Sequence, residues 1–214
     1  MEKTIQTILD NFFHSGKHQE FKKGEILIRA DDNPTGVYYL TSGKVKMYVI
    51  SKTGEEVIMT IFKPGSFFPM SWAINGTPNR FYFEAMDDVE VQKAGKDEVL
   101  TFLKSQPEIT YDLLQRLYLG VDGLLIRMAN LMAGSAYIRL LNEISIASQR
   151  FGQKSEQGLT LHISEGDLAK LTGLTRETVS REMRTLKAKG IVQFAKNILT
   201  ILDSSKLQEE LGEF

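Results

Sequence analysis

The chain has 214 residues, 42% of them hydrophobic and 25% charged; 26 Lys and Arg face 27 Asp and Glu, for a formal net charge of −1. This is the composition of a globular protein of one large or two small domains, and with no cysteine it forms no disulfide, thiolate zinc site, cysteine-ligated iron–sulfur cluster or thiol nucleophile. No apolar run approaches the roughly 20 residues of a membrane span, and a charge near zero supplies no global attraction to nucleic acid, so DNA binding would need a local concentration of charge.

The first ten residues carry Glu2, Lys3 and Asp10 and hold no signal-peptide core, which points to a cytoplasmic protein. From residue 21 to about 94 the chain reads as short strands: Glu25–Arg29, Val37–Thr41, Lys44–Val49, Glu56–Phe62 and Val89–Ala94. Lys44 to Val49 alternates polar and apolar residues, the period of a half-buried strand. Gly24, Gly36, Gly43, Gly54 and Gly65 fall between runs, and Ser42-Gly43 and Thr53-Gly54 read as hairpin turns. Spacings of roughly 8–12 residues predict an antiparallel sandwich or barrel-like roll.

From Pro107 to about Met132 the period becomes helical. Leu114, Leu117, Val121, Leu124, Met128 and Leu131 alternate spacings of three and four, a heptad seam. Such a stripe packs either on the strand domain of its own chain or on the same helix of a second copy. The length of the seam and the limited surface of a strand roll favour a homodimer. Gly120 and Gly123 weaken the helix by about 1 kcal/mol each relative to Ala. Ala133-Gly134-Ser135-Ala136 breaks the period as a hinge. A second helix then runs to about Arg150 with Ile138, Leu141, Ile144 and Ala147 on one face, followed by a polar loop, Gly152–Gly158.

The stretch from His162 to Leu202 is the most informative. Ser164-Glu165-Gly166-Asp167 is a capping-box start for a short helix over Glu165–Leu171, with Leu168 and Leu171 turned to a core. Gly173 suits a left-handed turn, and Thr175 caps a second helix that ends near Lys189 before Gly190. Val179, Met183 and Leu186 form its inner face; Arg176, Glu177, Ser180, Arg181, Arg184 and Lys187 form its outer face. Residues 175–189 hold five basic and two acidic side chains, a local charge of +3 in a chain of −1. A helix of this kind fits the major groove, where Arg bonds guanine bidentately and Glu accepts from cytosine. Ile191–Ala195 and Ile198–Leu202 flank Lys196-Asn197, a hairpin that would serve as a wing. Capped helix, glycine turn and capped basic helix together favour double-stranded DNA as the partner over a merely solvated helix face.

Strand roll, long helix, hinge and winged helix-turn-helix, in that order, resemble the CRP/FNR superfamily of bacterial transcription regulators. The segment from Gly173 to Arg181, G-L-T-R-E-T-V-S-R, is similar to that family's recognition-helix signature. The resemblance implies an α+β fold. Residues 1–106 would form an effector-sensing antiparallel β-roll (a double-stranded, jelly-roll-like β-helix), 107–133 a dimerisation helix, and 134–214 a winged helix-turn-helix. It implies Arg176, Glu177 and Arg181 as readers of half-sites of the TGTGA class, and Thr175 and Thr178 as contacts to the DNA backbone. It also implies a homodimer on a palindromic operator, with the Gly152–Gly158 loop where activating members touch RNA polymerase. Glu182 departs from the pattern, because the family ordinarily buries an aliphatic residue there; Met183 would take over that packing, with the helix slightly rotated.

The family's cyclic AMP cassette is a second departure. Members that bind cyclic AMP carry Gly-Glu-Leu and then Arg-Ser or Arg-Thr, whereas this chain has Gly65-Ser66-Phe67-Phe68-Pro69-Met70-Ser71-Trp72, and Phe81 follows Arg80. A nucleotide's ribose would lose its carboxylate anchor. Phe67, Phe68, Met70, Ser71 and Tyr82 would instead line a site for an apolar or aromatic effector whose anionic group meets Arg80. Equally, these residues are core and the site vestigial, which would make the protein a constitutive DNA-binding dimer. No cofactor is expected. The absence of cysteine removes iron–sulfur sensing, and His14, His18 and His162 form no metal or haem constellation. No Ser-His-Asp order, Walker loop or H-E-x-x-H occurs, and the ligands of a metal-binding cupin are missing, so an enzymatic roll has no support.

Overall fold

Alternation along the strands decides how the N-terminal half is layered. The computed structural model describes residues 2–212; Met1, Glu213 and Phe214 lie outside the described residues. Helix α1 (Glu2–His14) precedes strands β1 (Lys17–Phe21), β2 (Ile26–Ile28), β3 (Val37–Ser42), β4 (Val45–Ile50), β5 (Glu56–Phe62) and β6 (Phe67–Phe68). Then come α2 (Met70–Asn75), β7 (Tyr82–Ala85), β8 (Val89–Ala94), α3 (Lys96–Ser105) and the long helix α4 (Pro107–Ala133). The strands form two four-stranded antiparallel sheets, β1-β8-β3-β6 and β2-β7-β4-β5.

Strand β3 shows the layering. Its residues 37–40 are all buried, but period-two geometry splits them between two cores. Tyr38 and Leu40 join Phe68, Phe83, Val45 and Val91 between the sheets. Val37 and Tyr39 face the helices, with Leu9 and Phe13 of α1, Val99 and Leu103 of α3, and Ile109 of α4. Gly43 makes the β3–β4 turn possible. Its φ is +82°, and a Cβ there would stand 2.4 Å from the Asp88 carbonyl oxygen, so no other residue fits.

The C-terminal half contains α5 (Ala136–Phe151), β9 (Gln153–Ser155), β10 (Gly158–His162), α6 (Glu165–Thr172), α7 (Arg176–Ala188), β11 (Val192–Ala195), β12 (Ile198–Ile201) and α8 (Ser204–Leu211). Its core joins Leu140, Leu141 and Ile144 of α5, Leu168 of α6, Val179, Met183 and Leu186 of α7, and Leu199 and Ile201 of β12. The strands form one antiparallel sheet, β11-β12-β10-β9. The predicted polar loop at Gly152–Gly158 therefore differs in part, because Gln153–Ser155 pairs with Gly158–Thr160 as a short hairpin.

The chain divides into two units, one through Leu117 and one from Tyr118. The division falls inside α4 and not at the Ala133–Ala136 turn. The reason is local: Arg127 on α4 donates to both carboxylate oxygens of Glu143 on α5, from Nε at 2.9 Å and Nη2 at 2.6 Å. That pair ties the second half of α4 to the helix that follows.

Candidate nucleic-acid interface

The geometry of α6, the turn and α7 follows from three local signals. Ser164 Oγ accepts from the Asp167 N–H at 3.0 Å, and the Asp167 side chain accepts from the Ser164 N–H, so α6 opens with a reciprocal cap. Gly173 ends α6 in the left-handed conformation, φ 63° and ψ 31°. Thr175 Oγ1 accepts from the Thr178 N–H at 3.2 Å and opens α7. One further holder comes from outside the motif: Arg139 of α5 donates through Nη2 to the carbonyls of Thr172 and Gly173. A cation on the last carbonyls of α6 complements that helix terminus. The only sequence signal for it is a charge beside the buried pair Leu140-Leu141.

On α7, Val179, Met183 and Leu186 are buried and Arg176, Glu177, Arg181, Arg184 and Lys187 are exposed, with Thr178 and Ser180 half-buried. The predicted inner face is the observed one, with Met183 in the core, and the predicted outer face is exposed except at Ser180. The local charge is less free than counting suggests. Lys189 Nζ donates to Glu210 of α8 at 2.6 and 2.7 Å, and Glu210 and the Tyr137 hydroxyl hold its ammonium above the usual range. Arg181 donates to Glu182. Arg176, Arg184 and Lys187 form no ion pair among the described residues. The Glu177 carboxyl is held below the usual carboxylate range by its own backbone N–H and by the Thr175 hydroxyl. It therefore stays an acceptor. Beside α7, β11 and β12 meet in a two-residue turn with Lys196 at φ 51° and Asn197 at φ 62°, the paired left-handed geometry of a tight hairpin.

The predicted effector residues do not converge. Phe67 and Met70 pack in the helix-facing core. Phe68 points the other way, between the sheets, where its ring is 1% exposed and stacks on Phe62 at 4.7 Å and Phe83 at 5.1 Å. Tyr82 stacks on Tyr48 at 5.2 Å, and Ser71 and Arg80 are exposed. A charged cluster unforeseen from the sequence lies on the β4 sheet. Lys46, 8% exposed, bonds Glu56 and Glu84 at 3.0 Å each, and the Tyr48 hydroxyl donates to Glu84 at 3.0 Å. Burial works against the Lys46 charge, but Glu84 and Glu56 outweigh it and hold the ammonium above its usual range.

On α4 the whole predicted seam is exposed: Leu114, Leu117, Val121, Leu124, Met128 and Leu131, with Leu117 and Leu131 at 59%. Tyr118, Leu125 and Met132, each one position beyond the seam's Leu117, Leu124 and Leu131, are exposed as well. Among the described residues no helix is long and apolar enough to cross a membrane.

Comparison with known proteins agrees with this geometry. A family model described as a cyclic nucleotide-binding domain matches residues 18–106, and one described as a Crp-like helix-turn-helix domain matches residues 137–210. The anaerobic regulatory protein of Aggregatibacter actinomycetemcomitans is 26% identical over 206 residues, covering 95% of this chain and 79% of that protein. The global nitrogen regulator of a Nostoc species is 27% identical over 190 residues, covering 86% of this chain and 84% of that one. Among solved structures, a mutant of CooA from Carboxydothermus hydrogenoformans superposes with a TM-score of 0.80 at 22% identity, over 94% of this chain and 90% of that one, and so shares the fold. The chain belongs to the CRP/FNR family of transcription regulators, with a cyclic-nucleotide-binding-type roll and a DNA-binding helix-turn-helix.

Proposed function

We propose that the protein acts as a homodimer joined along α4, that it reads a two-fold symmetric duplex with α7 of each protomer, and that its roll senses a small molecule other than cyclic AMP. The observation that carries the dimer is the α4 stripe, because six large apolar side chains at heptad spacing and more than a third exposed call for a covering surface. Two-fold symmetry in the protein implies half-sites about one helical turn, roughly 34–36 Å, apart. In this reading Arg176, Glu177 and Arg181 face bases, Thr175, Thr178 and Ser180 serve the phosphate backbone, and Arg184 and Lys187 supply sequence-independent charge. The exposed β9–β10 hairpin, with Lys154, Glu156 and Gln157 in solvent, is the surface offered to RNA polymerase.

The Pro69-Met70 pair speaks against cyclic AMP. Met70 opens α2 and packs on the helix-facing core, so an apolar side chain stands where a ribose would need a carboxylate. A specific observation favours a second reading, ligand-independent binding: the stack of Phe62, Phe68 and Phe83 fills the space between the sheets. Fluorescence titration of the purified protein against symmetric duplexes tests both. Binding should weaken with salt. Lys187→Ala, which takes one cation away from the phosphates, should reduce the salt slope by about 1, whereas Arg176→Ala should relax base preference by roughly 1–3 kcal/mol. Salt-independent binding, or none to any symmetric duplex, would overturn the proposal. A metabolite panel that shifts this affinity supports the sensing roll; tight binding that no member shifts supports the second reading.

A further inference from the structure

Glu182 is the acidic residue of α7 that the family pattern does not foresee, and its placement is unusual for a helix. Adjacent residues on a helix do not normally face each other. Yet Arg181 reaches sideways to the Glu182 carboxylate, donating to one oxygen from Nε at 3.0 Å and from Nη2 at 2.8 Å. The Glu182 side chain is 15% exposed and Arg181 63%, so the carboxylate is anchored against the domain while the guanidinium stands in solvent.

A guanidinium offers five N–H donors in a rigid plane. Glu182 takes the side edge, Nε and one hydrogen of Nη2. Both hydrogens of Nη1 and the second of Nη2 remain, and one from each nitrogen forms the terminal fork that grips two adjacent acceptors. Guanine presents such a pair, O6 and N7, on its major-groove edge. An unrestrained arginine must give up rotamer freedom to reach it; one already held along its side edge gives up less.

We propose that Glu182 is a positioning residue that sets specificity, holding the side edge of the Arg181 guanidinium so that its terminal fork is pre-aimed at a guanine. This rests on the reading of α7 as the base-reading helix. The expected effect is opposite in sign to simple electrostatics. A carboxylate near DNA repels phosphate, so on charge alone its removal should tighten binding to every duplex. If it orients Arg181, its removal should instead relax discrimination at one guanine in each half-site.

The test compares the full-length wild type with Glu182→Leu, Glu182→Ala, Glu182→Gln and Arg181→Ala. Each is bound to a pool of symmetric duplexes with randomised half-sites, the bound fraction is sequenced, and the selected duplex and its single-base variants are titrated at fixed salt. Arg181→Ala should lose discrimination at one guanine by about tenfold or more. Glu182→Leu and Glu182→Ala should lose it several-fold at that same guanine and nowhere else, and Glu182→Gln, which keeps a neutral acceptor, should retain most of it. All three position-182 variants remove the same charge, so a difference between Gln and the other two is not electrostatic. Ala is compatible with the helix and covers the case in which Leu fails to fold. Wild-type discrimination in Glu182→Ala, or uniformly tighter binding by all three variants, overturns the proposal. If Arg181→Ala relaxes a guanine and Glu182→Ala does not, the proposal falls and the role of Arg181 stands. If Arg181→Ala changes no position, or wild type selects no sequence, both fall.

Discussion

Glu143 places a carboxylate in one of the driest positions of the DNA-binding half, 3% exposed on α5. Burial raises its pKa; the Coulombic pull of Arg127, its bidentate bonds and the nearby Arg150 oppose this without cancelling it, so the carboxyl stays above the usual range. The consequence for stability has a definite sign. Between the ordinary carboxylate pKa and the raised one, the folded state binds more protons than the unfolded state, so stability falls as pH rises through that window. Glu143→Gln should flatten this arm of the curve. Arg127→Met leaves the buried carboxylate without its counter-charge, and should both steepen the arm and lower stability at neutral pH by about 3–5 kcal/mol. Thermal unfolding between about pH 4 and 8 checks both, and a midpoint equally pH-dependent in all three proteins would sink the assignment. The pair is invisible in the sequence because its members lie 16 positions apart on different helices. Thr175, Ser164 and Gly173 are readable there because each acts on backbone within a few residues of itself.

The same distinction governs whole elements. Helices α4, α5, α6 and α7 and the β11–β12 hairpin are legible, since each carries its own period, cap or turn residue. Strands β2 to β5 and β8 follow from alternation and glycine spacing. Helix α1 is absent from a reading that starts at residue 21, although Ile5, Ile8, Leu9 and Phe12 repeat at helical spacing. What identifies it is tertiary: Phe13 stacks on Tyr39 at 4.6 Å, and the Tyr39 hydroxyl donates to Asp10 at 2.7 Å. Helix α2 has six residues, too short for a period to register, and α8 lies beyond Leu202, where the reading of the winged motif ends. Alternation also separates residues that the sequence sets side by side: Phe67 and Phe68 are neighbours in sequence, but a strand turns them to opposite faces. At this scale α4 offers a clean test. Nothing lies within 4 Å of a Cβ built at Gly123, which sits at the c position, off the heptad seam. Gly123→Ala should therefore stabilise the protein by about 1 kcal/mol through helix propensity and the unfolded chain, leaving self-association unchanged. Destabilisation, or a shift in the sedimentation equilibrium, would mean that a partner's backbone packs there.

For the whole molecule, net charge is a poor guide to the partner, because acidic residues elsewhere cancel a basic helix and even there Arg181 on the helix and Lys189 at its C-cap are already paired. In the proposed dimer, DNA binding depends on doubling: two copies of α7 on one duplex. Joining two weak half-site interactions replaces a second bimolecular step with an intramolecular one and strengthens binding by a factor on the order of 10²–10⁴ with no additional bond formed. Leu124 is half exposed at the centre of the α4 stripe, so Leu124→Lys leaves each unit's core intact while placing a charge in the seam. The variant should sediment as a monomer, lose that factor on the symmetric duplex, and bind a single half-site as the wild type does. The wild-type unfolding midpoint should rise with protein concentration and that of Leu124→Lys should not, since only association links stability to concentration. Wild-type affinity for the symmetric duplex in a monomeric Leu124→Lys would show that α4 is not what makes the two reading heads act as one.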